Sequence, residues 1–353
     1  MSAELQSNPE YPTELAYRKV LDQGFVALIE TMGTDASIVQ AARVSYGKGT
    51  KTIRSDKALI SYLIRHRHTT PLEMVEFKFL MRLPIFVARQ VIRHRTASVN
   101  EYSGRYSVMP DRFWVPPLGA IADQDAVNRQ GRSDKLAELL ARLPAGSGID
   151  PEQLRDPEGR RAFAAEQGAG DLLPTECYAF CVERLLDRFP EERERLEAVR
   201  TSVRTNNERC YALYRRLMEQ GVAREIARGV LPLTLYTEWY WKIDLHNLLH
   251  FLKLRMAPHA QFEARAYAEA MAEYVKPVVP YVWEAFESDF LHGSFLTGAE
   301  KEVLRPAGEE DRRAMLLALH ERGYRLRRLK ETCRKLDIDE ALVDELWPPR
   351  DKA

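Results

Sequence analysis

Two hydrophobic periods share this chain without alternating strictly, and that limits the fold more than any other feature of the sequence. Residues 75–80 (VEFKFL) alternate around Glu76 and Lys78 as a half-exposed strand does. Residues 24–32 (GFVALIETM) read as an opening strand and the aromatic-rich 232–243 as a later one. Elsewhere the period is 3.6: Leu59, Tyr62 and Leu63 share one helical face, and Leu245, Leu248, Leu249 and Leu252 share another. Strands and helices therefore do not follow each other in the order of a parallel βαβ fold. The expected class is α+β, a central mixed or antiparallel sheet flanked by helices, with a helical insertion and a helical C-terminal extension.

Local signals set the expected boundaries. Thr34 or Asp35 caps a helix reaching Arg43, and Ser55 caps the next. Thr70-Pro71-Leu72-Glu73 has the form of a capping box with proline at the first helical position, which accounts for Thr70 and Glu73 structurally. Pro84 opens a helix through PIFVARQVIRHR; TASVNEYSGR reads as a polar loop, and 106–117 as a strand ending at Pro116-Pro117. At Leu118 the composition shifts, and 118–172 reads as a solvent-facing insertion with short helices. Residues 175–220 are helical and highly charged, interrupted at Pro190. The domains expected are 1–292, carrying that insertion, and a helical extension over 293–353.

Charge and cysteine content narrow the function. Lys plus Arg and Asp plus Glu number 52 each, so the chain lacks the basic excess of a general nucleic-acid binder. Cys177, Cys181, Cys210 and Cys333 form no CxxC pair, which fits packed thiols in a reducing cytoplasm. The N-terminal MSAELQSNPEYP has no signal-peptide core, and no apolar run approaches membrane-spanning length. His246 and His250 have helical spacing, but neither an HExxH pattern nor a nearby third ligand supports a metal, so none is expected.

The chemistry concentrates between residues 89 and 105. Arg89, Arg93 and Arg95 crowd a helix end whose dipole favours positive charge, which accounts for one or two of them. Ser98, Asn100, Glu101, Ser103, Gly104 and Arg105 then combine small polar groups, a glycine and a forked guanidinium. Such a segment suits an anion, and the reading is a phosphate and nucleotide pocket. Ser103 as a nucleophile would need a base that the local sequence does not offer.

Arg93-His94-Arg95, seven residues, then Ser103 resembles the signature of the flavin-dependent thymidylate synthases. LDQGFVALIETMG, AARVSYG, HTTPLE, PIFVARQVIRHR, GVAREIARGVLPL and HFLKLRMAPHAQFE also resemble that family, covering 24–110 and 221–288. The resemblance implies methylation of dUMP to dTMP with FAD as cofactor, NADPH as reductant and 5,10-methylenetetrahydrofolate as carbon donor. It implies a homotetramer whose active sites are shared between subunits. By the same resemblance Gln90, Arg93, Glu101, Ser103, Gly104, Arg105, Arg228 and Arg255 contact dUMP, with Arg255 the catalytic residue facing the uracil. Ser45, His68, Thr70, Arg93, His94, Arg95, Glu101, Asp244, His246 and His250 would contact the flavin. Asp244 and His246 stand where relatives carry Asn and Arg, a departure from the pattern. No cysteine lies near the signature, so the reaction would proceed without an enzymic thiolate. Two other readings are a nucleic-acid-binding module built on the Arg93–Arg95 segment and a structural helical protein.

Overall fold

The computed structural model describes residues 6–7, 16–44, 56–126, 131–144, 147–293, 308–321, 325–336 and 338–348. Six strands, β1 (Gln6–Ser7), β2 (Ala16–Val20), β3 (Gly24–Met32), β4 (Glu76–Pro84), β5 (Ser98–Glu101) and β6 (Tyr236–Asp244), form one sheet in the order β1-β2-β3-β4-β6-β5. Every pairing is antiparallel. Period-two side chains sort onto its two faces. Phe77, Phe79, Met81 and Leu83 of β4 and Trp239, Trp241 and Ile243 of β6 enter the main core. The opposite face carries Lys78–Glu30, Lys242–Glu76 and Arg82–Glu238 ion pairs, with Phe25, Ala27 and Leu80 as a small second cluster.

The core face is covered by α1 (Asp35–Val44), α2 (Asp56–Arg65) and α3 (Ile85–Val91), and by three later helices, whose apolar stripes it buries. The intervening helices are α4 (Lys135–Ala141), α5 (Pro151–Arg155), α6 (Pro157–Glu166), α7 (Pro174–Leu186), α8 (Pro190–Glu219) and α9 (Arg224–Ala227). The three later ones are α10 (Leu245–Arg255), α11 (Phe262–Val278) and α12 (Pro280–Phe286). Asp35 ties the ends of this layer together, accepting from the Tyr281 and Val282 N–H groups at 2.8 and 3.2 Å.

Several sequence expectations change. Ser98–Glu101 is a strand, not loop: as an edge strand with all four residues exposed it needs no apolar alternation. Residues 106–117 form no strand beyond a bridge between Phe113 and Leu235, because Pro110, Pro116 and Pro117 supply no donors. The Thr70–Glu73 capping box does not form; Pro71 precedes a single 3₁₀ turn, Leu72–Met74, and β4 begins at once. The insertion is not simply solvent-facing. Leu136, Leu139, Leu140 and Leu154 build a separate core with Cys181, Val182, Leu185 and Leu186 of α7 and Leu196 of α8. Their helical spacing is hidden in a polar composition. Ser55 lies outside the described residues.

Contacts divide the chain into Met1–His292 and Gly293–Ala353. The second unit holds helices Glu309–Glu321, Leu326–Leu336 and Ala341–Leu346, packed on Leu316, Leu329, Cys333, Leu342 and Val343. No helix among the described residues is long and apolar enough to cross a membrane.

Candidate active site

Antiparallel pairing of β4 and β6 sets up the site. Pro84 lies opposite Tyr236 and Glu76 opposite Asp244. Helix α3 therefore leaves one end of the strand pair and α10 the other, and the two fold back over the same core face toward each other. Arg255, the last residue of α10, meets the end of α3. Its Nε donates to His94 Nε2 at 3.3 Å, its Nη1 to Gln90 Oε1 at 3.5 Å and its Nη2 to the Gln90 carbonyl at 3.2 Å. Burial lowers the Arg255 pKa, and among the described residues no carboxylate pairs with it. A part-buried guanidinium held only by neutral acceptors is matched to an anion or to developing negative charge. Burial, then Arg255 and His250, lower the His94 pKa to about 4. His94 is thus neutral near pH 7 and able to accept.

The start of α3 borders a second feature. Ile85, Met109, Leu231 and Leu235 wall a cavity of about 340 Å³ whose polar side is Glu101, Tyr102, Ser103, Gly104, Arg228 and Thr237. The Ser103 carbonyl accepts from the Tyr106 and Ser107 N–H groups, each at 3.1 Å, and so tightens the turn. A Cβ on Gly104 would stand 2.7 Å from Met109 Sδ and 3.3 Å from Arg228 Cδ, so a larger residue there would have to displace these two side chains at the cavity. Helix α8 fixes the Met109 wall from both sides: Tyr214 Oη accepts from its N–H at 3.1 Å, and the Tyr211 hydroxyl donates to its carbonyl at 3.2 Å. The Thr237 hydroxyl donates to Glu101 at 2.7 Å, and exposed Arg105 pairs with Glu225 at 3.2 Å. Ile85 and Gln90 are separated by about 7–8 Å of helix axis, so one short helix joins cavity and guanidinium.

The structure gathers Glu101, Ser103, Gly104 and Arg228 at the cavity and Gln90, His94, His250 and Arg255 at the far end of α3, and gives the other sequence-derived residues different surroundings. Helix α3 ends at Val91, short of the expected Arg95. Tighter turns then follow, with Arg93 N–H to Gln90 O at 3.3 Å and His94 N–H to Val91 O at 3.0 Å. Arg93 and Arg95 project as exposed guanidinia with no carboxylate partner among the described residues. His250 stacks edge-on to His94 at 6.1 Å. The α10 N-terminus meets the Leu72–Met74 turn through Leu245 N–H to Val75 O at 2.7 Å, beside exposed Thr70. His68 follows Arg67, whose φ of 55° reverses the chain so that the His66 and His68 rings lie 6.3 Å apart. Unpaired guanidinia, imidazoles and a hydroxyl are a donor set that fits a dinucleotide with an anionic diphosphate and a planar ring. Asp244 fits less well. It caps α10, accepting from Asn247 N–H at 3.0 Å and Asn247 Nδ2 at 2.7 Å, so both oxygens are engaged. His246 is half-buried on the same turn, and Ser45 lies outside the described residues. No cluster of metal-binding side chains occurs among the described residues.

The family model described as thymidylate synthase complementing protein matches residues 27–281. The flavin-dependent thymidylate synthase of Thermus thermophilus is 48% identical over 286 residues, covering 81% of this chain and 84% of its own. This chain belongs to the flavin-dependent thymidylate synthase family. The relative with that name from Rickettsia conorii is 45% identical over 299 residues, covering 81% of this chain and 83% of its own. A crystal structure of the UMP/dUMP methylase PolB from Streptomyces cacaoi bound with 5-Br dUMP aligns with TM-score 0.54 and 26% identity. That alignment covers 78% of this chain and all of the other. As a flavin-dependent thymidylate synthase the protein is an enzyme, a methyltransferase, and the antiparallel sheet with its helical cover is a fold shared with PolB. Sequence reasoning missed Thr237, whose buried hydroxyl fixes Glu101; a threonine in an otherwise aromatic strand was the available signal. It also missed Met109 and the apolar wall, which only α8 brings into place.

Proposed function

We propose that this enzyme methylates dUMP to dTMP, with 5,10-methylenetetrahydrofolate as carbon donor and FAD reduced by NADPH. The observation that carries the reading is the meeting of Arg255 with Gln90 and His94 at one end of α3, while Ser103, Gly104 and Arg228 line a cavity at the other. In this reading the nucleotide phosphate lies at Ser103, Gly104 and Arg105, with Arg228 across the cavity. Glu101 has one oxygen taken by Thr237 and offers the other to a sugar hydroxyl. Gln90 and Arg93 face the pyrimidine end. Arg255 stabilises negative charge that develops on the ring, its plane held by neutral His94 and the Gln90 carbonyl.

His68, Thr70, Arg93, His94, Arg95, His246 and His250 would hold FAD, which supplies hydride when bound and reduced. The thiols fit a route without a cysteine nucleophile: Cys177 and Cys181 are buried and neither lines the cavity, and burial raises the Cys181 thiol to about 11. Val99, Tyr102, Tyr106 and Tyr240 are exposed beside the site, which fits coverage by further copies in a homotetramer with shared active sites. Four free cysteines fit a cytoplasmic setting. No observation favours the nucleic-acid reading of the Arg93–Arg95 segment. FAD titration of the folded protein, followed by assay of dTMP from dUMP with the folate and NADPH, tests the proposal. Flavin binding with dTMP formation is expected; a folded protein that binds no flavin and makes no dTMP overturns it.

A further inference from the structure

We propose that Gln261 and Glu263 are positioning residues for Arg255, acting through the Gln90 amide. Gln261 occupies the N-cap position of α11, yet its side chain makes no capping hydrogen bond. It turns aside instead. Its Oε1 accepts from Gln90 Nε2, and its Nε2 donates to Glu263 Oε2 at 2.8 Å. Gln90 Oε1 in turn accepts from Arg255 Nη1 at 3.5 Å. The four side chains form one directed series, guanidinium to amide to amide to carboxylate.

The direction is fixed at both ends by chemistry. Arg255 has only donors, so the Gln90 oxygen must face it. At the far end Gln261 Nε2 donates to Glu263 Oε2; burial raises the Glu263 pKa, and it is in its ionised form, with acceptors only, that this carboxyl fixes the amide. Each amide then has one permitted orientation, and the two inner ends match donor to acceptor. Reversing either amide would set oxygen against oxygen or nitrogen against nitrogen. Glu263 is only 6% exposed, on the first turn of α11, so the far end of the series is anchored on a rigid element. Helix α11 is otherwise core packing, with Ala264, Ala266, Tyr267 and Ala268 buried behind it. The series therefore transmits the position of a packed helix to the one guanidinium that closes α10. A Gln90 amide free to rotate would present its NH₂ to Arg255, and two donors would oppose each other where one guanidinium orientation is needed.

This inference rests on the role given to Arg255 above, and the test separates the two. Gln261→Leu removes the connection at an exposed position that should leave folding intact; Gln261→Asn, a methylene too short to reach both partners, is the second variant. Both are compared with Arg255→Ala and with the double variant Gln261→Leu/Arg255→Ala in the full chain loaded with FAD. Single-turnover methylation at saturating dUMP and dUMP affinity by calorimetry are measured for each. We expect each Gln261 variant to slow the single turnover about tenfold while changing dUMP affinity less than about threefold, as for an interaction realised in the transition state. In the Arg255→Ala background the Gln261→Leu change should add no further loss, because residues acting through one group are not additive. Glu263→Gln replaces the acceptor-only end by an amide that can also donate, so it should slow the single turnover about threefold, less than the Gln261 variants; an unchanged rate would remove Glu263 from the positioning role. If Arg255→Ala is slow but the Gln261 variants turn over normally, or if the two losses multiply, the positioning role is wrong. If Arg255→Ala itself turns over normally, the catalytic reading of Arg255 fails, and the inference with it.

Discussion

Arg105 and Arg255 are both guanidinium groups, but their surroundings assign them different work. Arg105 is exposed and paired with Glu225 beside the cavity, whereas Arg255 is part-buried against neutral acceptors. A phosphate contact is much the same before and during reaction, so Arg105→Ala should weaken dUMP binding about ten- to a hundredfold, the equivalent of roughly 1.5–3 kcal/mol, with turnover at saturation little changed. Loss of turnover at unchanged dUMP affinity would contradict that assignment. His94 makes a second residue-level prediction. Its folded-state pKa of about 4 lies below the ordinary 6.5, so between those values the unfolded chain binds a proton that the folded chain does not. Its contribution to stability is complete above pH 6.5 and is lost as pH falls toward 4. Urea unfolding at pH 5 and pH 7 should show a smaller difference for His94→Asn than for the native chain; equal differences would mean that His94 is not held neutral by the fold.

At the scale of elements, the insertion is held by a backbone approach rather than by charge. Gly119 lies in the 3₁₀ turn Leu118–Ala120, and a Cβ there would fall 1.9 Å from the Ala179 carbonyl oxygen of α7. Backbone cannot give way as a side-chain tip can. Gly119→Ala should therefore cost about 1–3 kcal/mol, read as a lower urea midpoint. Gly104→Ala, by contrast, would press on the flexible ends of Met109 and Arg228. An unchanged midpoint for Gly119→Ala would show that the turn is not packed on α7 as described. Helix α3 shows why element boundaries differ from their sequence signals. The apolar pattern of PIFVARQVIRHR runs on to Ile92, but the helix stops at Val91 and the chain tightens, which separates Arg93 and Arg95 from the core face.

At the scale of the molecule, the family match ends at residue 281, and the hydrophobic clusters of the first unit contain no residue beyond Leu291. The second unit has its own small cluster around Leu316, Leu329 and Val343. A chain ending at His292 should consequently form dTMP at a rate within about threefold of the full chain and unfold within a few degrees of it, since independent cores contribute independently. Collapse of the shortened chain, or loss of dTMP formation with the fold intact, would assign the second unit a part in the first.

By itself the sequence determined the local order and the chemistry on offer. A period-two run gave β4, an apolar opening run gave β3, aromatic richness gave β6, the 3.6 period gave α2 and α10, and Arg93-His94-Arg95 with Ser103 identified the family that the comparisons establish. These are properties of neighbouring residues, set by backbone geometry and side-chain type. Where periodicity carried no information, the reading failed. The edge strand β5 is exposed on both faces, and the leucines of the insertion are diluted by polar neighbours. The joining of the site belonged to tertiary structure alone. Arg255 reaches His94 and Gln90 across separations of 161 and 165 positions, because antiparallel β4 and β6 launch α3 and α10 from opposite ends toward each other. Tyr211 and Tyr214 likewise set the cavity wall from 102 and 105 positions away. No local pattern records such distances; they follow from which surfaces must be buried against each other once the elements exist.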